Sequence, residues 1–257
     1  MSLFSLQPDG PANRYALAVT DDLCVGNAQL RFLFGGIALG VAVAALERAA
    51  RRPLICATAQ FLSQTPPDAR LEIDIAMPTI GRFNTQAQAI ARIRDRVTFQ
   101  VTAALGERPG QTSMQGPVAP AVPAPEDCRQ DYAWLNTATS LQRQIEARHV
   151  QCAGATPGRM LLWLRTRADL TLDSALLAIF ADFTTAVVTD TLGLGFVGNS
   201  LDNTLRICRI VPSRWVLCDI GLDAAHAGFA HGDMRMFAQT GELLAVASQS
   251  MIVRAIA

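Results

Sequence analysis

A chain of 257 residues, half of them hydrophobic and 17% charged, holds enough apolar material for a large core and is long for one compact domain. Its 22 basic residues, every one an arginine, balance 22 acidic residues and lie scattered, so no basic stripe marks a nucleic-acid partner. The apolar stretches at Gly35–Ala45 and Leu176–Val188 are stopped by Glu47 and broken by Asp182, short of the roughly 18–20 residues of a membrane span.

The first nine residues show no basic segment ahead of an apolar one, which argues against a signal peptide and for the cytoplasm. Six cysteines stand at 24, 56, 128, 152, 208 and 218, with no Cys-x-x-Cys spacing and with the three histidines not clustered among them. That disfavours a zinc site or a disulfide framework, and no metal or cofactor is expected. Cys56, Cys208 and Cys218 sit in apolar runs and read as small buried hydrophobes.

In chain order, Arg14–Val19 reads as a strand. Phe34-Gly35-Gly36 opens an alanine-rich apolar helix that runs to Ala50 and is closed by Pro53. Four strand-like segments follow, Leu54–Leu62, Arg70–Met77, Arg82–Ile93 and Val97–Leu105, with turns at Pro66-Pro67, Gly81 and Arg94-Asp95-Arg96. From Pro109 to Pro125 five prolines make an extended connector with little regular structure. Glu126–Ser140 is ambiguous and is compatible with a helical turn around Trp134.

The order then recurs. A strand at Arg159–Leu164 and an apolar helix from Ser174 to Thr191 precede four further strands, Asn199–Ile210, Arg214–Leu222, Gly228–Gln239 and Leu243–Arg254. Corresponding positions lie 144 to 147 residues apart, which argues for an internal duplication. The expected organisation is an N-terminal unit over 1–107, a connecting segment over 108–140 and a C-terminal unit over 141–257. Each unit would wrap a curved antiparallel sheet around a long central helix, and the two sheets could pair edge to edge. The second helix carries one carboxylate, Asp182, among apolar neighbours, and an unpartnered buried carboxylate is costly. It is therefore either a general base raised toward neutrality by desolvation or a structural residue tied to Thr185 or the backbone.

Several segments together are similar to the acyl-CoA thioesterase II family, the double-hotdog thioesterases. In the first half they are Phe34-Gly35-Gly36, Ala59-Gln60-Phe61-Leu62 and Gly81-Arg82-Phe83. In the second half they are Ile145-Glu146-Ala147-Arg148, Trp163-Leu164-Arg165, Phe180-Ala181-Asp182-Phe183, Ser200-Leu201-Asp202 and Gln249 through Arg254. The resemblance spans residues 14 to 256 and implies an α+β double hotdog that hydrolyses acyl-CoA to free acid and CoA. It implies attack by water, no cofactor and a homo-oligomeric assembly. The positions matching the family's catalytic Asp, Ser or Thr, and Gln are Asp182, Ser200 and Gln249. Two departures stand out: Gln60 or its neighbours where the family has a His, and Asp202-Asn203-Thr204 where it has Asp-His-Ser. A diverged acyl-CoA binder of the same fold is the alternative. A hydratase of this fold would want an Asp–His pair near a Gly-Asp-x-Asn-Pro-like segment, which the chain lacks.

Strand alternation puts Gln249 with Leu243, Ala245, Ala247, Met251 and Val253 on an apolar face, turned toward the helix. A core Gln tied to backbone is the other reading. The same alternation groups Ser200 with Asp202, Thr204 and Arg206, facing away unless the strand bulges near Asn199-Ser200, and makes Asn203 the substitute. Gly35 and Gly36 could let a thioester carbonyl approach helix-start N–H groups, or could serve close packing. The first helix has no carboxylate before Glu47, so one active site per chain is expected. His226 and His231 flank Gly228 in an expected loop and read as solvated.

Overall fold

The computed structural model describes residues 3–10, 12–27, 30–129, 140–151 and 156–255. The expected turn around Trp134, and Cys152, lie outside the described residues. Strands β1 (Leu6–Pro8), β2 (Arg14–Ala18), β3 (Cys24–Gly26) and β4 (Arg31–Leu33) lead into helix α1 (Gly35–Ala50). Strands β5 (Leu54–Phe61), β6 (Arg70–Ile80), β7 (Asn84–Ile93) and β8 (Arg96–Gly106) follow. Beyond the proline-rich stretch come α2 (Ser140–Gln144), β9 (Ile145–His149) and β10 (Arg159–Thr166). Helices α3 (Ser174–Ala181) and α4 (Ala186–Leu192) flank a 3₁₀ turn at Asp182–Thr185. Strands β11 (Phe196–Ser200), β12 (Asp202–Ile207), β13 (Val216–His226), β14 (Phe229–Ala238) and β15 (Leu243–Ala255) complete the chain.

All strands except β3 and β4 join one 13-stranded antiparallel sheet. Its centre is the pairing of β5 with β12, where Thr58 lies opposite Thr204 and their hydroxyls are 3.1 Å apart. Outward from this seam the first half runs β5-β8-β7-β6-β2-β1 and the second runs β12-β15-β14-β13-β10-β9. The two halves thus follow the same strand order. Their inner edges, which would be open in either half alone, are paired with each other.

Helix α1 is apolar on every side because every side is covered. Strands β5 to β8 pack on it from one direction and α3 from the other, and Ile37, Leu39, Val41, Val43 and Leu46 are fully buried. Arg51 turns left-handed at φ 54° and Pro53 follows, so the helix cannot continue. The helices α1 and α3 meet at glycines: a methyl on Gly40 would sit 2.9 Å from the Ala175 carbonyl oxygen. Taken together, Ser174–Leu192 makes 19 helical residues, long and apolar enough by length and composition to cross a membrane, which the sequence pattern did not suggest. In the fold 72% of its apolar window is buried, as in a core helix.

The proline-rich connector lies across the outer face of the second half. Trp163 Nε1 donates to the Pro123 carbonyl at 3.1 Å, and Gln115 bridges to Gly241 and Leu243. Ala119 and Val122 thereby cover Trp163, Trp215, Leu217 and Phe237. Beneath the same segment Glu146, 5% exposed, is gripped by Arg148 at 2.8 Å and Arg165 at 2.7 Å. Both guanidiniums also lie over the Trp215 ring. Burial raises the Glu146 pKa, but the two arginines outweigh it and hold the carboxyl below its ordinary value. Glu146→Gln leaves two partly covered arginines without a counter-charge and is expected to lower the unfolding free energy by about 2 kcal/mol. Urea denaturation should show a lower midpoint with an unchanged slope.

Among the cysteines the expectation is met in part. Cys218 is buried, and its thiol pKa is pushed up by desolvation and by Asp219. Cys56 is half-buried, and Cys208 is exposed because β12 ends at Ile207 and the chain turns outward there. His226 and His231 are exposed as expected, but they lie on β13 and β14, joined by a tight turn at Ala227-Gly228.

Candidate active site

Asp182 does not sit within a regular α-helix. It caps α3 at φ −77° and ψ −4°, where the helix tightens into the 3₁₀ turn. The Thr184 hydroxyl donates to the Ala181 carbonyl at 2.8 Å and the Thr185 hydroxyl to the Asp182 carbonyl at 3.1 Å. Such bonds from threonine to preceding carbonyls favour a tightened turn, so the sequence Asp-Phe-Thr-Thr supplies its own break. The pair of threonines after Asp182 was the available signal for it.

Asp182 is 2% exposed, and the rings of Phe34, which precedes α1, and Phe183, which follows Asp182, meet edge to face at 5.6 Å. Asp182 Oδ1 accepts from the Ser200 hydroxyl at 2.8 Å and from Gln249 Nε2 at 2.6 Å. Gln249 Nε2 also donates to Ser200 Oγ at 2.6 Å, which closes a triangle. Oδ2 accepts from the Gly36 N–H at 2.7 Å, at the start of α1 in the other half of the chain. Asp182, Ser200 and Gln249 come from three separate elements and converge on one point.

Ser200 reaches that point through a bulge. Ser200 pairs with Met251 and Thr204 with Ser248, so the three residues between them face only two of β15. The extra residue falls where β11 gives way to β12 at Leu201. It turns Ser200 inward without turning Asn203 outward. Asn203, opposite Ala59 at the seam, is fully buried beside Asp182.

Of the two uses open to Gly35 and Gly36, close packing has direct geometry behind it. The Gly36 N–H is held by Asp182, and methyl groups would meet Asp182 Oδ2 at 2.7 Å from Gly35 and the Ile179 carbonyl oxygen at 2.5 Å from Gly36. Both glycines serve close approach, bringing the positive end of α1 against the carboxylate. Gln60 lies on the exposed face, where it accepts from Gln100 Nε2 at 2.6 Å. A cleft lined by Leu3, Phe4, Asp173, Leu176 and Ile179 opens at the Ser174 end of α3, away from the carboxylate.

Two effects oppose each other at Asp182. Burial raises its pKa, while hydrogen bonds from Ser200, Gln249 and Gly36, and the amide of Asn203 beside it, lower it. Burial prevails and the carboxyl is pushed up to about 6. A group of that pKa can take a proton from water and return it near neutral pH. Glu47, the carboxylate at the far end of α1, accepts from the Ser174 hydroxyl and the Leu54 N–H, both at 2.7 Å. Both its oxygens are thus engaged, in a purely structural clasp.

The profile of the acyl-CoA thioesterase N-terminal domain matches residues 26–106, and that of the C-terminal domain matches residues 119–253. A candidate thioesterase from Novosphingobium aromaticivorans is 33% identical, covering 97% of this chain and 98% of its own, with a TM-score of 0.91. At the level of fold, the tesB protein of Mycobacterium avium subs paratuberculosis is similar at 19% identity and TM-score 0.81, covering 98% of this chain and 96% of its own. An acyl-CoA thioesterase II from Mycobacterium marinum is similar at 21% identity and TM-score 0.79, covering 98% and 97%. No curated protein matches the chain. With both domain profiles matched in order along it, this chain belongs to the acyl-CoA thioesterase family.

Proposed function

We propose that the protein hydrolyses acyl-CoA thioesters to free acid and CoA, with one site per chain set between two tandem hotdog units. The observation that carries this reading is the enclosed Asp182 carboxylate, bonded at one oxygen by both Ser200 and Gln249. Asp182 acts as general base. Ser200 and Gln249 hold its free rotation in check and supply acceptor atoms for the attacking water. Water oxygen bonds to the thioester carbon as its proton passes to Asp182. The tetrahedral intermediate then collapses, the carbon–sulfur bond breaks, and the departing thiolate takes the proton back from Asp182.

Incubation with acyl-CoAs of graded length and a thiol reagent tests the proposal. Release of one thiol per acid formed is the expected result. Binding without thiol release would replace hydrolysis with ligand storage.

The pH dependence follows from the carboxyl raised to about 6. Activity needs the ionised form, so kcat/KM should be flat above neutrality and fall about tenfold per pH unit below 6. A profile unchanged down to pH 4.5, an order-of-magnitude margin below that midpoint, would remove Asp182 as the base.

A further inference from the structure

Within the hydrolytic reading, each proton of the trio can be traced. Ser200 has one, given to Asp182 Oδ1, and Gln249 Nε2 has two, given to Asp182 Oδ1 and Ser200 Oγ. The Gly36 N–H is spent on Oδ2. What these groups still offer a reactant is acceptors: the remaining lone pairs of Asp182 and Ser200, and Gln249 Oε1, which is buried without a partner. Acceptors alone suit the water. They draw in its two hydrogens and leave an oxygen lone pair pointing outward.

They do not suit the other reactant. As the carbon–oxygen double bond opens, its electron pair moves onto the carbonyl oxygen, and that charge requires a hydrogen-bond donor. A buried donor stands beside Asp182, where it also favours the ionised carboxylate. Asn203 is fully buried, and neither its Nδ2 nor its Oδ1 has a partner among the described residues. An unpartnered buried amide costs about 1–3 kcal/mol, so its presence in a core otherwise well satisfied calls for a ligand. The bulge at Leu201 is what lets Asn203 and Ser200 face the same interior together.

We propose that the Asn203 side-chain amide donates to the thioester carbonyl oxygen, making it a fourth catalytic residue beside Asp182, Ser200 and Gln249. Its Nδ2–H groups stabilise the oxyanion while the water proton rests on Asp182, and they release it when the carbonyl re-forms and the thiolate leaves.

The test is Asn203→Leu, close in shape and without a donor. Expected are a kcat lower by about 10²-fold or more that persists on the alkaline plateau and a KM changed by less than about threefold, with a pH midpoint moved upward because the Asn203 amide also lowers the Asp182 pKa. The melting temperature should be equal or higher, since an unpartnered amide has gone. If Asn203 merely supports the charge on Asp182, the pH midpoint rises but the full rate returns at alkaline pH, which overturns the assignment. A kcat within about threefold of wild type overturns it as well. Wild-type protein without thiol release overturns the hydrolytic reading and this one with it, whereas normal wild-type turnover with an unaffected variant removes Asn203 alone. Should Asn203→Leu fail to fold, Asn203→Ala carries the same readouts.

Discussion

Asp182→Asn is expected to lower kcat/KM for acyl-CoA hydrolysis by about 10³-fold while melting at a higher temperature than the wild type at neutral pH. The loss follows from removing the base. The gain follows from burial. The folded protein holds the Asp182 proton more tightly than the unfolded chain, with a pKa raised from 3.8 to about 6. Stability from this group is therefore full below the unfolded value and declines as pH rises through the folded one. At pH 7 the cost is about 3 kcal/mol. The asparagine variant carries no charge and escapes that cost. Its amide oxygen can still accept from Gly36, and the Gln249 amide and Ser200 hydroxyl can turn to accept from its NH₂. Some of the gain is lost in that rearrangement, so a rise of about 5 °C in Tm at neutral pH is the expected size. Calorimetry at pH 7.5 and near pH 3.5, values set to bracket the two pKa limits, checks the sign: the advantage should vanish at the acid end. Full activity in the variant would end the proposed mechanism, and equal melting at both pH values would contradict the electrostatic account.

Gly36→Ala is expected to damage both fold and site. The added methyl would lie 2.5 Å from the Ile179 carbonyl oxygen, 2.6 Å from Phe34 Cε1 and 3.0 Å from Asp182 Cβ. The first of these is backbone in a packed helix and cannot swing aside. Helices α1 and α3 must separate, at a cost of about 3 kcal/mol. Separation also pulls the Gly36 N–H from Asp182, removing a bond that favours the ionised carboxylate. The residual activity should therefore fall about 10²-fold and its pH midpoint should move upward. Denaturant unfolding alongside the pH–rate profile separates the two effects. Wild-type stability in this variant would show that the helices have room the distances deny.

Much of the fold was legible because each half repeats the same pattern of alternation, helix and turn. Leu71, Ile73 and Ile75 alternate with charged residues and bury as a strand face should. Asp182 and Gln249 stood out for the same reason: each is polar at a position whose pattern-mates are apolar, and such residues have either a partner or a use. Three features were not legible. The alternation rule assumes an unbroken period of two, and the extra residue at Leu201 breaks it, so Ser200 and Asn203 could not both be placed inside. The tightened turn at Asp182 contains neither glycine nor proline, only two threonines whose back-bonding a helix pattern does not register. The partner of Gly36 lies 146 positions away and depends on how two helices cross, which no local pattern encodes.

The seam between β5 and β12 also bears on how chains could associate. Joined there, the sheet, in which residues 76–80 of β6 and 223–226 of β13 overrun their outer neighbours, ends among the described residues on two short strands, three residues at β1 and five at β9. The second is partly covered, since Arg129 bridges to His149. A second chain arriving strand-first at β1 or β9 would find only a short run of backbone to pair with. An assembly built through the two end strands would therefore draw most of its specificity from side-chain surfaces, where geometry and sequence set the partner.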